Sequence, residues 1–231
     1  MEAIVLAGGF GTRLSGRLNG VPKPMVSIAG RPFLEILLNQ LKRAGCPRVV
    51  LSVGHLHKVI QDFFGSSFNG MHLEYAIESV PLGTGGAIRL ALQKAREESV
   101  LVLNGDTFLD ADYGALLHFH AVERTNLTIA IAQVENAARY GRVLTNENRI
   151  VGFEEKGRSG PGWINAGAYV IGKGFEWPQA LPETFSFESD VLSREIGRLL
   201  PAAYPVNGFF LDIGLPEDLD RAQTELASYL V

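Results

Sequence analysis

Short apolar runs alternate with stretches of helical periodicity through the first half of this 231-residue chain, and that rhythm restricts its fold more than any other feature. Residues 3–7 (AIVLA) form a continuous apolar run ended by glycine, the pattern of a buried strand. Residues 32–45 (PFLEILLNQLKRAG) set Phe33, Ile36, Leu37, Gln40 and Leu41 at helical spacing, with Pro32 suited to a first turn and Gly45 to a C-terminal stop. RVVLSVG and HLEYAIE predict further strands, HKVIQDFFG and GGAIRLALQKAREE predict helices, and SVLVLNGD predicts a fourth strand ending in an acid. Strand and helix in this alternation predict an α/β sheet with right-handed crossovers, whose ligand site gathers at the carboxyl ends of the strands. Gly8 to Arg13 and Asp106 both follow such ends. LTIAIAQV, GRVLTNENRIVGFEEKG and WINAGAYVI then predict strands and hairpins, with Asn148 in a turn, followed by helices near 189–200 and 216–229. With no repeat or long linker, the chain reads as one domain, 1–231, with a regular half over about 1–135 and a less regular half over 136–231.

Composition removes several functions. Charged residues make up 20% and hydrophobic ones 46%, as in an ordinary globular enzyme, and a net charge of −4 supplies no basic field for nucleic acid. No window is apolar enough for a membrane span, and the N-terminus lacks the features of a signal peptide. Cys46 is the only cysteine, which fits a reducing, cytoplasmic setting.

The segment AIVLAGGFGTRL admits three phosphate-handling readings. A dinucleotide fingerprint needs a third glycine where Leu14 stands, and an acid at the end of the second strand, which reads Ser52, Val53, Gly54. A P-loop needs lysine directly after a glycine, and none follows here. What remains is a glycine loop carrying Arg13, a planar fork for phosphate oxygens, with the compact charge of Lys23 ten residues on. Pro22 and Pro24 predict an extended, restrained backbone around Lys23. Asp212, between GFFL and IGLP, is a carboxylate in an apolar setting that calls for a cation or metal partner.

LAGGFGTRL followed by PKPM resembles the signature of the sugar-1-phosphate nucleotidylyltransferases. The resemblance continues in order through PLGTGGAI, LNGD (103–106), FEEK (153–156), INAGAYV and FLDIG, nearly the whole chain. Within that family it is most similar to the guanylyltransferases acting on D-glycero-D-manno-heptose 1-phosphate, with mannose-1-phosphate guanylyltransferases as relatives. The resemblance implies a Rossmann-like, mixed and mostly parallel sheet flanked by helices, the nucleotide-diphospho-sugar transferase fold. It implies transfer of GMP from GTP to a sugar 1-phosphate, releasing pyrophosphate, with Mg²⁺ on Asp106 and Asp212. Arg13 would stabilise the departing pyrophosphate and Lys23 would bridge the reacting phosphates, these four being the catalytic set. The nucleotide would be held by Leu6, Ala7, Gly8, Gly9, Gly11, Thr12, Arg13, Glu78, Pro81, Gly83 and Thr84. The sugar phosphate would be held by Asn104, Gly141, Glu155, Lys156, Asn165 and Gly167, with Glu188 and Asp190 as further candidates. Homo-oligomers are common in the family. The chain stops one helix after FLDIG, so no second, acyltransferase activity is implied.

Glu78 stands where many uridylyl- and thymidylyltransferases of the family carry glutamine. Guanine presents two adjacent donors, N1–H and N2–H₂, that match two carboxylate oxygens, whereas uracil and thymine flank one N–H with carbonyls. The reading is therefore GTP; its alternatives are UTP or dTTP, with Glu78 facing solvent and backbone groups choosing the base. A non-catalytic nucleotide-sugar-binding subunit is the alternative of another class. Asp110 and Asp112, in FLDADYG, read as a solvated turn with Asp112 an N-cap. The paired histidines of HLH and HFH read as solvated surface, not a zinc site.

Overall fold

A computed structural model describes every residue except Phe10, Thr12, Arg13, Ser15, Asn19, Leu230 and Val231. In chain order its strands are β1 (Glu2–Leu6), β2 (Ser27–Ile28), β3 (Arg31–Pro32), β4 (Arg48–Val53), β5 (Ser67–Phe68), β6 (Met71–Ile77), β7 (Ser99–Asn104), β8 (Thr107–Leu109), β9 (Leu127–Val134), β10 (Val143–Asn146), β11 (Arg149–Phe153), β12 (Gly162–Gly172), β13 (Ala202–Val206) and β14 (Phe210–Asp212). The helices are α1 (Phe33–Arg43), α2 (His57–Phe64), α3 (Gly83–Leu92), α4 (Tyr113–Glu123), α5 (Arg194–Leu199) and α6 (Pro216–Glu225).

Ten strands form one sheet in the order β10–β11–β13–β9–β12–β7–β1–β4–β6–β5. β6, β4, β1, β7, β9, β13 and β10 run one way, and β12, β11 and β5 run against them. β1 lies between parallel neighbours, so both of its faces must be apolar: Ala3 and Val5 enter one core layer and Ile4 the other. The first layer gathers Phe33, Leu37 and Leu41 of α1, while Ile88 and Ala91 of α3 pack with Phe187 in the second. α1 starts after Pro32 and stops before Gly45, whose φ of +77° ends it as the glycine foretold.

Three elements depart from expectation. α3 stops at Leu92, short of residue 98, because Glu2, 1% exposed, draws the chain away: its carboxylate accepts the amides of Arg96 and Glu97 at 2.7 and 3.1 Å. Arg48 pairs with Glu2 and with Glu74, joining three strands in one charge group. The stretch expected as a helix over 189–200 opens as a π-turn, Phe187–Ser193, before becoming α5. Lys23 sits in a 3-10 turn, not an extended segment, since Met25 N donates to Pro22 O at 2.8 Å and Val26 N to Lys23 O at 3.1 Å. Pro24 is tolerated there because a first-turn residue needs no N–H donor.

Asp112 is the N-cap of α4, its Oδ1 accepting from Ala115 N at 2.9 Å, and Asp110 accepts from the Tyr229 hydroxyl at 3.0 Å. His118 is exposed as expected, but His120 is not: it is 4% exposed, with Nδ1 2.8 Å from Thr128 Oγ1. Burial pushes its pKa below the usual 6.5. A histidine whose folded pKa is depressed takes up a proton more readily when unfolded, so stability falls as pH drops below about 6.5, by at most about 1.4 kcal/mol per pH unit. Urea unfolding between pH 7.5 and 5.5 should therefore show a steeper loss for the wild type than for His120→Gln; parallel curves would contradict it. Among the described residues no helix is long and apolar enough to cross a membrane.

Candidate active site

A cavity of ≈ 1190 Å³ opens at the carboxyl ends of β1, β6 and β7. At its centre lie Lys23, Asp106 and Asp212. Gly105 N donates to Leu6 O at 3.0 Å, which keeps the chain against β1 as it turns out of β7 into Asp106. β8 and β14 then pair antiparallel with Thr107 opposite Asp212, and Ile213 N donates to Asp106 O at 2.9 Å, so the two acids are neighbours on one short ribbon. Lys23 Nζ reaches Asp106 Oδ2 at 2.6 Å from a side chain only 11% exposed.

Asp212 is the charge left over. Its Oδ1 is buried with no hydrogen-bond partner. Burial, and then the Asp106 carboxylate, push its pKa above the ordinary aspartate value against the pull of Lys23. An orphaned carboxylate oxygen beside a second acid is a donor set for a hard divalent cation, which takes oxygen ligands and completes its shell with water and substrate phosphates. No group of three or more candidate ligands occurs among the described residues, so such an ion would depend on the substrates for the rest of its coordination.

On one side the cavity is lined by Leu6, Gly8, Gly9, Gly11, Glu78, Pro81, Gly83 and Thr84, eight of the residues expected at the nucleotide. Ala7 is the exception: 1% exposed, it packs in the core while its amide donates to Ser52 O at 2.7 Å, and it lines no part of the cavity. Thr12 and Arg13 lie outside the described residues. Glu78 does not face open solvent. It folds over Gly8, where a Cβ would collide with Oε1, and its Oε2 accepts from Leu82 N at 3.0 Å. Burial raises its pKa.

The opposite side brings together Asn104, Gly141, Glu155, Lys156, Asn165 and Gly167. β12 slips its register between Asn165 and Tyr169, and Asn165 fills the gap: Nδ2 donates to the Tyr169 hydroxyl at 2.9 Å and Oδ1 accepts from Gly167 N at 3.0 Å. Within the acidic run, Glu154 is engaged by Arg142 at 3.3 Å and Arg158 at 3.0 Å, leaving Glu155 and Lys156 exposed along the rim. Glu188 also lines the cavity; surrounding protein and both aspartates push its pKa up, while Lys156 pulls it down. Asp190 does not line it. Its Oδ2 accepts from Ser186 N at 2.9 Å and its Oδ1 pairs with Arg194, a capping role for the π-turn.

Sequence reasoning passed over Tyr140 and Phe210, which meet edge to face at 5.5 Å and wall the cavity beside Asp212. Arg139, paired with the buried Asp218 at 2.6 Å, fixes that wall to α6. Tyr140 lies in a turn and Phe210 in a three-residue strand, both too short for a periodic signal, so nothing in the local pattern separates them from core.

The chain belongs to the nucleotidyl transferase family, whose sequence profile matches residues 2–228, and it is thus a nucleotidyltransferase. It is 39% identical, over the whole of both chains, to D-glycero-alpha-D-manno-heptose 1-phosphate guanylyltransferase of Aneurinibacillus thermoaerophilus. It is 40% identical to the Campylobacter jejuni protein of the same description, over 94% of this chain and 96% of the relative. Among solved structures, HddC from Yersinia pseudotuberculosis complexed with GMP-PN superposes with a TM-score of 0.83 at 32% identity, covering 97% of this chain and 99% of that one. The mixed sheet flanked by helices is the fold expected from the sequence. The family's chemistry uses a divalent metal, which the Asp106–Asp212 pair fits.

Proposed function

We propose that the protein transfers GMP from GTP to D-glycero-alpha-D-manno-heptose 1-phosphate, yielding a GDP-sugar and pyrophosphate. The observation that carries this reading is the cavity's division: Glu78 over the glycine loop at one end, Lys156 with Glu155 at the other, and the Lys23–Asp106–Asp212 centre between. Residues up to about 135 supply the nucleotide side and residues 136–231 most of the sugar side, with Asn104 crossing over. Heptose is favoured by the two relatives near 40% identity over nearly whole chains.

A phosphate monoester oxygen already carries the charge it needs to attack, so the protein's task is alignment and charge compensation. Lys23 sets one cation between the attacking phosphate and the α-phosphate of GTP. Arg13 is assigned to the leaving pyrophosphate. Glu78 accepts from guanine N1–H and N2–H₂, and those donors favour its ionised form over the protonated form that burial favours. Glu155 accepts sugar hydroxyls, and Lys156 neutralises the sugar phosphate. Mg²⁺ is the ion proposed for Asp106 and Asp212, and when bound it would screen phosphate charge. The substrate GTP and the unpaired Cys46 thiol support a cytoplasmic setting.

Pyrophosphate release across four nucleoside triphosphates and a set of sugar 1-phosphates tests the reading. The largest rate should come with GTP and the heptose phosphate; faster turnover of mannose 1-phosphate would reassign the sugar, and no turnover with any pair would defeat the reading. Glu78→Gln should lower kcat/KM for GTP about tenfold or more, because one acceptor is exchanged for a donor facing guanine's own donors. The same change should narrow the margin over UTP and dTTP. An unchanged nucleotide ranking would hand base selection to the backbone.

A further inference from the structure

Thr84 stands on the nucleotide side of the cavity, yet its hydroxyl is committed to the other wall. Thr84 Oγ1 accepts the amide of Phe187 at 2.9 Å. The same seam holds Phe185 N–H on Leu82 O at 2.9 Å, Gly85 N–H on Phe185 O at 3.0 Å and the Thr184 hydroxyl on Pro81 O at 2.9 Å. Gly83, at φ +70°, permits the approach, since a Cβ there would collide with Phe185 O. One end of the seam runs to Glu78, which accepts from Leu82 N. The other runs to Glu188, the residue after Phe187 on the π-turn, which lines the cavity. Phe187 is itself 1% exposed, its ring edge-on to Tyr169 at 5.3 Å, and Tyr169 bonds Asn165. A π-turn strains the regular helical ladder and needs outside bonds to hold its register.

We propose that Thr84 is a positioning residue for the sugar phosphate: through the Phe187 amide it fixes the π-turn and so holds Glu188 where it accepts a sugar hydroxyl. The seam thus makes the nucleotide-side turn and the sugar-side wall one bonded unit. The proposal rests on the reading of this cavity as a nucleotidyl-transfer site.

Its signature is a split between substrates. Thr84→Val, which keeps shape and removes the acceptor, should raise KM for the sugar 1-phosphate about five- to tenfold, a larger rise than any it causes in KM for GTP. Thr84→Ser should restore the wild-type value, and Glu188→Gln should raise the same KM without adding fully to Thr84→Val. An equal rise in the GTP KM, no change in either, or failure of Thr84→Ser to rescue would overturn the proposal. Amide hydrogen exchange at Phe187 reads the seam without turnover: faster exchange in Thr84→Val, by about tenfold, is expected, and unchanged exchange would refute it. If no substrate pair reacts, the functional reading fails while this measurement still decides the seam. Should Thr84→Val not fold, Thr184→Val cuts the exposed end of the same seam and must give the same split.

Discussion

Lys23→Met should lower kcat for pyrophosphate release by roughly 10²–10³, the usual cost of removing one preorganised charge from a transition state. The argument starts from geometry. Lys23 is delivered by a 3-10 turn between two prolines, only 11% of its side chain is exposed, and Nζ lies 2.6 Å from Asp106 Oδ2. Methionine keeps the stem and the packing, so the variant should fold. What it loses is the one cation the described residues place against Asp106, beside a second carboxylate whose Oδ1 already lacks a partner. Steady-state kinetics at saturating substrates checks this. A loss under tenfold would mean Lys23 only balances Asp106 and never meets the reacting phosphates.

Asp212→Asn should cost more activity and cost no stability. Several kcal/mol of transition-state stabilisation go with a metal-holding carboxylate, so a loss on the order of 10³ in kcat is expected. Stability should move the other way. A carboxyl whose folded pKa is raised supports the fold while protonated, at pH below its unfolded value, and that support is withdrawn as pH rises through the folded value. At pH 7.5 the ionised Asp212 therefore opposes folding, and a neutral amide removes the opposition. The ligand-free variant should melt at or above the wild-type Tm, and it should lose the rise in Tm that Mg²⁺ with GTP gives the wild type. A variant that is both less stable and fully active would reverse the assignment.

Much of this site could be read along the chain because its chemistry sits where strands stop. Asp106 ends a continuous apolar run, and Asp212 interrupts another, so each is conspicuous locally. Their adjacency is not local: it depends on a ladder between β8 and β14, strands of three residues each, too short for any periodic signal. Asp190 and Glu188 look alike in sequence, two acids in one polar stretch. They separate only when the π-turn aims one into the cavity and bonds the other to Ser186 N. His120 departs from the solvated-surface reading. It shares the inner face of α4 with the buried Tyr113 and Leu116, and its hydrogen-bond partner, Thr128 on β9, comes from outside the helix. Glu2 shortened α3 in the same way, from the far end of the chain.

The β8–β14 ribbon also bears on how such enzymes diversify. Besides the Thr107–Asp212 pairing, Asp110 N donates to Phe209 O at 2.8 Å, so residues 106–110 and 209–213 are riveted to each other at both ends. The hundred or so residues between them, which hold almost everything assigned to the sugar, leave and re-enter through that one clamp. Loops there can lengthen, shorten or change their contacts without altering the spacing of the two acids. Selection can thus retune the acceptor while the reaction centre is inherited intact.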